Sequence, residues 1–251
     1  MDYRIRLKNL NDISLMEIYK DDGIGKKPLV ILYHGYVGQK EFMMAQAYNL
    51  ARYGFYVVLP DAWGHGERNR DGVPSNFFEA IAKTTDEINQ VIDSYDQADE
   101  VDINRVGLTG GSMGGCITFN YLVSENRKIK AAVPVIGTPD WVSIMETKEA
   151  EMLFLSANLV STSEQMKKHQ EVASMVQPLN KYTNMKDTPL LILNGEEDPI
   201  IPVGKVKDFY EKLKPLYARP EEIQLITYPG IGHTDTLPIN IALAEWFLKY
   251  I

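Results

Sequence analysis

The sequence predicts an α/β fold in which a mostly parallel central sheet is covered by helices on both faces. Short apolar runs rich in β-branched residues alternate with longer amphipathic stretches, as do the strands and helices of a parallel sheet that is buried on both sides. A length of 251 residues and a hydrophobic content of 45% are sufficient for one such domain with a full core. We therefore expect a single domain over residues 1–251 with about eight strands.

The first two strands should form an antiparallel hairpin at one edge of the sheet. Residues 2–8 and 13–19 alternate apolar and polar side chains, and the turn-forming Asn9-Leu10-Asn11-Asp12 separates them. The later runs are apolar throughout, as expected of strands buried on both faces. They are residues 28–33, 55–60, 105–109, 131–136, 188–194 and 223–228.

The stretches between these runs predict the helices that cover the sheet. A loop over 61–75, rich in glycine and charge, precedes the longest amphipathic stretch. The expected helices are residues 40–53, 76–97, 116–122, 204–214 and 236–250.

One interval between strands is longer than the others. Residues 138–188 separate two strands, whereas a crossover between parallel strands needs only about a dozen residues. Its methionines and aromatic residues belong either to helices that simply pack on the rest of the domain or to a small helical cap over the ligand site. We favour the cap, because an insertion at the carboxyl end of a strand lies on the ligand side of such a sheet. The side chains concerned are Trp141, Ile144, Met145, Met152, Phe154, Leu155, Leu159 and Met166.

Residues 110–114 read Gly-Gly-Ser-Met-Gly and directly follow the apolar run 105–109. In a G-x-S-x-G turn between a strand and a helix, the serine hydroxyl is exposed above the sheet. Such a turn strains the serine backbone and brings the residues two before and two after it together, so Gly110 and Gly114 would prevent a clash. The motif predicts that Ser112 is a nucleophile.

A serine hydroxyl needs a general base and a group that orients this base. His233 follows the last strand between glycine-rich segments, which would bring it to the same edge of the sheet as Ser112. Asp198 follows the strand over 188–194 in a loop held by prolines, and we expect its carboxylate to orient His233. Asp140, after the strand over 131–136, is the competing acid.

Two backbone N–H groups should stabilise the oxyanion that forms during acyl transfer. Met113 directly follows the nucleophile and can supply one of them. The second is expected from Tyr36, in the loop after the strand over 28–33, where Gly35 allows a sharp turn. His34 is interpreted as a buried scaffold residue.

The composition of the chain argues against several classes of binding partner. The net charge of −8 argues against nucleic acid and anionic membrane surfaces, and no apolar run is long enough for a membrane span or a signal peptide. A single cysteine, Cys116, excludes an internal disulfide and suits the cytoplasm. We interpret Cys116 as a packing residue, and His65 as bracing its loop, because no second histidine or carboxylate lies at metal-ligand spacing. A homodimer is possible.

Several stretches together resemble the α/β-hydrolase superfamily. They are Tyr33-His34-Gly35-Tyr36, Leu59-Pro60-Asp61-Ala62-Trp63-Gly64-His65-Gly66-Glu67-Arg68, the serine turn, Gly195-Glu196-Glu197-Asp198-Pro199 and Gly232-His233. Within the superfamily the chain is similar to compact bacterial esterases related to dienelactone hydrolases and to the catalytic domain of prolyl oligopeptidases, the peptidase S9 type. The resemblance implies a serine triad, hydrolysis of carboxylic esters, and no cofactor or metal.

The chain departs from these relatives at two points. Dienelactone hydrolases use a cysteine nucleophile, whereas position 112 is a serine. Prolyl oligopeptidases carry a large N-terminal propeller, whereas only the predicted hairpin precedes the first core strand here. We therefore expect neither that lactone nor peptides as the substrate.

These observations predict a serine carboxylesterase that hydrolyses small esters, with short-chain or aromatic acyl groups, through an acyl-enzyme. The interval 138–188 is too short for a lipase lid, which favours small acyl groups. A thioesterase or an acyltransferase with the same triad is the main alternative, followed by a peptidase. A non-catalytic ligand-binding protein of this fold would usually lack a triad residue. The expected substrate contacts are Tyr36, Trp63, Trp141 and Met145.

Overall fold

Eight strands form one sheet in the described part of the chain. The computed structural model describes residues 2–69, 72, 75–156 and 163–251, without the side chains of 153–156 and 163–166. The strands are β1 (Asp2–Leu10), β2 (Ile13–Asp21), β3 (Lys27–Tyr33), β4 (Tyr56–Pro60), β5 (Val101–Gly111), β6 (Ala131–Val135), β7 (Leu190–Gly195) and β8 (Ile223–Tyr228). Their order across the sheet is β1-β2-β4-β3-β5-β6-β7-β8.

The pairing of the strands confirms the predicted sheet. β1 and β2 pair antiparallel from Asp2 opposite Asp21 to Leu10 opposite Ile13, so the predicted hairpin exists and β1 is an edge strand. β2 is also antiparallel to β4, whereas all later pairs are parallel. The carboxyl ends of β3 to β8 therefore meet at one edge of the sheet.

One strand begins earlier than predicted. β5 starts at Val101 rather than at residue 105, because Val101 and Asp102 pair with Lys27 and Pro28. A register shift after Pro28 then brings Leu29 opposite Val106. Polar residues in this first segment interrupt the apolar run, so the hydrophobic pattern did not predict it as part of the strand.

Eight α-helices are described. They are α1 (Met44–Arg52), α2 (Phe77–Asp93), α3 (Met113–Leu122), α4 (Trp141–Met145), α5 (Lys148–Ser156), α6 (Ser163–Val176), α7 (Val203–Leu213) and α8 (Leu237–Tyr250). Short 3₁₀ segments occupy Lys40–Met43, Gly66–Arg68, Pro178–Asp187, Lys214–Leu216 and Pro220–Glu222. α1 and α8 pack on one face of the sheet, and α2, α3 and α7 pack on the other. A buried core therefore lies on each side, as predicted.

The longest helix is shorter than expected. α2 ends at Asp93, whereas the amphipathic pattern runs on to residue 97. The hydroxyl of Ser94 donates to the carbonyl of Val91. Tyr95 then turns into the core, where its hydroxyl donates to Glu17 at 2.7 Å. A tertiary contact thus ends the helix.

The long interval 138–188 contains α4, α5, α6 and the 3₁₀ segment Pro178–Asp187. Trp141 is buried and stacks on Phe78 of α2 with a ring-centroid distance of 5.4 Å. Met145 is also buried, whereas Met152 is 69% exposed. Leu159, and the side chains of Phe154, Leu155 and Met166, lie outside the described residues. The role of this insertion as a cap stays a prediction.

Within the described residues, no helix combines the length and the apolar character required to cross a bilayer.

Candidate active site

Three side chains from distant parts of the chain are hydrogen-bonded in series at the carboxyl edge of the sheet. Nε2 of His233 lies 2.8 Å from Oγ of Ser112, and Nδ1 of His233 lies 2.8 Å from Oδ2 of Asp198. A carboxylate only accepts hydrogen bonds, so the imidazole proton belongs on Nδ1. Nε2 is then free to accept the hydroxyl proton of Ser112, which is the geometry that nucleophilic catalysis requires.

Ser112 occupies the strained turn that the glycine pattern predicts. It lies between β5 and α3 with φ 56° and ψ −113°, a backbone conformation that L residues rarely adopt. A Cβ atom on Gly110 would lie 2.7 Å from Cα of Gly114, and one on Gly114 would collide with the carbonyl oxygen of Tyr33. Only glycine therefore fits at either position, and the strain at Ser112 is held by close packing on both sides.

The loop after β7 holds the carboxylate of Asp198. Its Oδ1 accepts hydrogen bonds from the backbone N–H groups of Ile200 and Ile201, both at 2.8 Å. The N–H of Glu197 donates to the carbonyl of Ile231, which ties this loop to the loop that carries His233. These contacts leave only Oδ2 for the imidazole.

Asp140, the competing acid, has a different partner. Its Oδ1 accepts from the backbone N–H of Ser143 at 3.1 Å, so the side chain caps the N-terminus of α4. The carboxylate that hydrogen-bonds His233 is that of Asp198.

The loop after β3 passes directly beside the serine. A Cβ atom on Gly35 would lie 3.5 Å from Cβ and 3.9 Å from Oγ of Ser112. The carbonyl of Gly35 accepts the N–H of Gly38 at 3.1 Å and turns the chain sharply. The hydroxyl of Tyr36 donates to the carbonyl of Ser75 at 3.0 Å, which anchors this residue next to the site. Met113 is the first residue of α3, at the positive end of the helix dipole.

Two histidines support this loop and its neighbour. Nδ1 of His34 donates to the carbonyl of Gly35 at 2.7 Å, and its Nε2 accepts the N–H of Ala62 at 3.0 Å. His65 bonds the carbonyl of Trp63 through Nδ1 at 2.8 Å. Both rings are buried, and burial lowers the pKa of each, to about 4 for His34. These contacts agree with a scaffold role for His34 and a loop-bracing role for His65.

The buried ring of His34 predicts a loss of stability in acid. Below pH 6.5 the unfolded chain binds a proton at this residue, whereas the folded chain does not until about pH 4, so stability falls as the pH drops through this window. We expect the free energy of unfolding of the wild-type protein to fall by about 2–3 kcal/mol more than that of His34→Gln between pH 7.5 and 4.5. Urea unfolding of both proteins at the two pH values measures the difference. An equal loss in both proteins would contradict a neutral, buried His34.

An apolar pocket opens beside Ser112. Its empty volume is about 310 Å³, including the part open to solvent. Two larger pockets, with empty volumes of about 640 and 600 Å³, lie elsewhere on the protein, and Ser112 lines neither of them. The described lining residues beside Ser112 are Tyr36, Phe77, Cys116, Ile144, Ala150, Ile200 and Ile201.

Of the four expected substrate contacts, only Tyr36 belongs to this lining. Trp63 lies beneath two cations, with Nζ of Lys83 4.2 Å from its ring centroid and the guanidinium of Arg68 5.1 Å away. Trp141 and Met145 are buried. The structure therefore does not bring these three residues into the pocket.

Most residues of the described lining were not predicted from the sequence. For Cys116 a signal existed, because it follows Ser112 by four residues on α3 and so shares its helix face. Ile200 and Ile201 follow Asp198 by two and three residues, in the same loop. No pattern indicated Phe77 or Ala150, since their place in the wall depends on how separate helices pack.

Three comparisons place the chain among known proteins. Residues 40–248 match the model of the prolyl oligopeptidase family, Peptidase_S9. The chain is 27% identical to "Putative esterase YitV" of Bacillus subtilis over 99% of both chains. It is 28% identical to "Uncharacterized peptidase YuxL" of the same organism over 87% of this chain, but spans only 33% of that protein. The structure of a putative dienelactone hydrolase from Klebsiella pneumoniae superimposes with a TM-score of 0.72, 18% identity and complete coverage of both chains. Together with the sheet order, this likeness identifies the α/β-hydrolase fold.

Proposed function

The chain belongs to the prolyl oligopeptidase family and is a serine hydrolase of the esterase type, and from this premise we propose that it hydrolyses small carboxylic esters with Ser112, His233 and Asp198 as its catalytic residues. The observation that carries the proposal is the continuous hydrogen-bond chain from Oγ of Ser112 through His233 to Asp198. Ser112, at one end of this chain, also lines an apolar pocket.

The first half of the reaction forms an acyl-enzyme. Oγ of Ser112 attacks the ester carbonyl carbon while Nε2 of His233 takes the hydroxyl proton, and Asp198 stabilises the imidazolium. The backbone N–H groups of Tyr36 and Met113 hold the oxyanion. The bond to the alcohol oxygen then breaks, and His233 gives its proton to the leaving alcohol.

The second half releases the acid. Water attacks the acyl carbon while Nε2 of His233 takes one of its protons. The tetrahedral intermediate expels Oγ of Ser112, which regains the proton from His233. One ester and one water thus become one acid and one alcohol, and the enzyme returns to its starting state.

The acyl groups we propose are short or aromatic, because the pocket beside Ser112 is small and its described lining is apolar. A thioesterase or an acyltransferase would use the same three side chains and differ only in the leaving group or the acceptor. A peptidase is the third alternative, and the substrate comparison below tests it.

The test compares three substrates with one acyl group: phenyl acetate, S-phenyl thioacetate and acetanilide. We expect kcat/KM for the ester to exceed that for the anilide by about 100-fold or more, because an anilide is a poorer leaving group that needs protonation during bond cleavage. Faster turnover of the thioester would favour a thioesterase. Turnover of the anilide at the rate of the ester, or of none of the three, would contradict the proposal.

A further inference from the structure

The proton donor, His233, lies 2.8 Å from Ser112 but does not itself belong to the described lining of the pocket. Ser112 and Cys116, one helical turn further along α3, both line this pocket. If ester hydrolysis occurs as proposed, the leaving oxygen must lie within hydrogen-bond reach of Nε2 of His233. The alcohol part then extends on the side of His233, and the pocket receives the acyl part.

The described wall of the pocket carries no formal charge. The hydroxyl of Tyr36 donates to the carbonyl of Ser75 and does not need a partner in the pocket. Cys116 is fully buried, and burial raises the pKa of its thiol to about 12, so it is neutral. An ionised acyl group would lose its hydration without gaining a partner there, so the pocket fits an uncharged, apolar acyl group.

Two residues of the insertion between β6 and β7 form one side of this wall. Ile144 of α4 and Ala150 of α5 are both buried. Thr147 joins them: its hydroxyl donates to the carbonyl of Ile144 at 2.8 Å and accepts the N–H of Ala150 at 3.2 Å. The N–H of Thr147 donates to the same carbonyl at 3.1 Å. These bonds tie the backbone at the end of α4 to the first turn of α5.

The helix that carries Ile144 is itself anchored to the core. Trp141, one turn before it, stacks on Phe78, and its backbone N–H donates to Oε1 of Gln177 at 3.0 Å. Asp140 caps the same helix. The wall is therefore braced against the domain, and a longer acyl chain would have to displace it.

We propose that Ile144 and Ala150 set the maximum length of the acyl group that Ser112 accepts, and that the wild-type protein prefers short acyl chains. This inference deepens the proposed ester hydrolysis and rests on it. Ile144 limits the length by its bulk, whereas Ala150 leaves the remaining space open by its small size.

The test measures kcat/KM for p-nitrophenyl acetate, butyrate, hexanoate and octanoate in the wild type, Ile144→Ala and Ala150→Leu. One methylene in an apolar pocket changes kcat/KM by about tenfold or more. We expect Ile144→Ala to raise the hexanoate-to-acetate ratio at least about tenfold, because it opens space for a longer chain. Ala150→Leu should lower the butyrate-to-acetate ratio at least about tenfold, because it fills that space.

Ile239→Ala is the matched control. Ile239 is fully buried in α8, on the opposite face of the sheet, so its truncation also opens a cavity but does not reach the pocket. Its unfolding temperature should fall, as that of Ile144→Ala does, while its acyl-chain profile stays that of the wild type.

The outcomes separate the two proposals. Folded variants with the wild-type ratios, or a wild-type optimum at octanoate, would overturn the assignment of Ile144 and Ala150 and leave ester hydrolysis intact. A protein that hydrolyses no ester would overturn the proposed function. In that case the rates at which p-nitrophenyl ethyl- and hexylphosphonates label Ser112 test the pocket: a preference for ethyl that Ile144→Ala removes supports it, and equal rates or no labelling overturn it.

Discussion

Ser112→Ala is expected to lower kcat for p-nitrophenyl acetate by about 10⁵-fold or more and to abolish labelling by a fluorophosphonate. The hydroxyl oxygen is the atom that would form the acyl-enzyme. Cys116, the other nucleophilic residue type in the described lining of the pocket, is buried as a neutral thiol. The residual rate should come from the oxyanion donors and from binding alone.

Ser174→Ala is the control for this variant. Ser174 lies on the exposed face of α6, and its hydroxyl donates only within its own helix, to the carbonyl of Glu171. Its kcat and its labelling should remain within about twofold of the wild type, as for an ordinary surface substitution. Labelling that persists in Ser112→Ala would assign the nucleophile to another residue.

Asp198→Asn should lower kcat by about 10⁴-fold with little change in the unfolding temperature. In the wild type, Oδ1 accepts two backbone N–H groups and Oδ2 faces Nδ1 of His233. An asparagine must keep its oxygen toward those two donors, so its NH₂ group points at the imidazole. The imidazole proton then moves to Nε2, which can no longer accept the proton of Ser112.

Asp140→Asn makes the same chemical change at the competing carboxylate. Asparagine caps a helix about as well as aspartate, so α4 should keep its N-terminus and kcat should stay within about threefold of the wild type. Steady-state kinetics of both variants at pH 8, with thermal unfolding as the check on folding, measure the contrast. A loss confined to Asp140→Asn would identify that residue as the acid.

The strands and the serine turn could be predicted because their signals are local. Continuous apolar runs indicate strands buried on both faces, and glycines around Ser112 indicate a turn too tight for side chains, as contacts at Gly110 and Gly114 confirm. The first residues of β5 were missed because their pairing with β3, and not their hydrophobicity, makes them a strand.

The candidate site was predicted in part. The order of the motifs brought Ser112, Asp198 and His233 to the same edge, since the carboxyl ends of parallel strands meet there. Trp63 and Trp141 were expected to contact the substrate. In the structure the ring of Trp63 lies under Lys83, and the ring of Trp141 stacks on Phe78.

The sequence by itself determined the fold class, the strained turn at Ser112 and the edge of the sheet to which Ser112, His233 and the candidate acids belong, because these depend on hydrophobic period, local sterics and chain order. Only the tertiary structure decided that Asp198 and not Asp140 meets His233, and which side chains enclose the acyl pocket. Those outcomes depend on hydrogen-bond distances and on how elements that are distant in sequence pack together; the pocket lining alone draws on residues between Tyr36 and Ile201. No local sequence pattern encodes such packing.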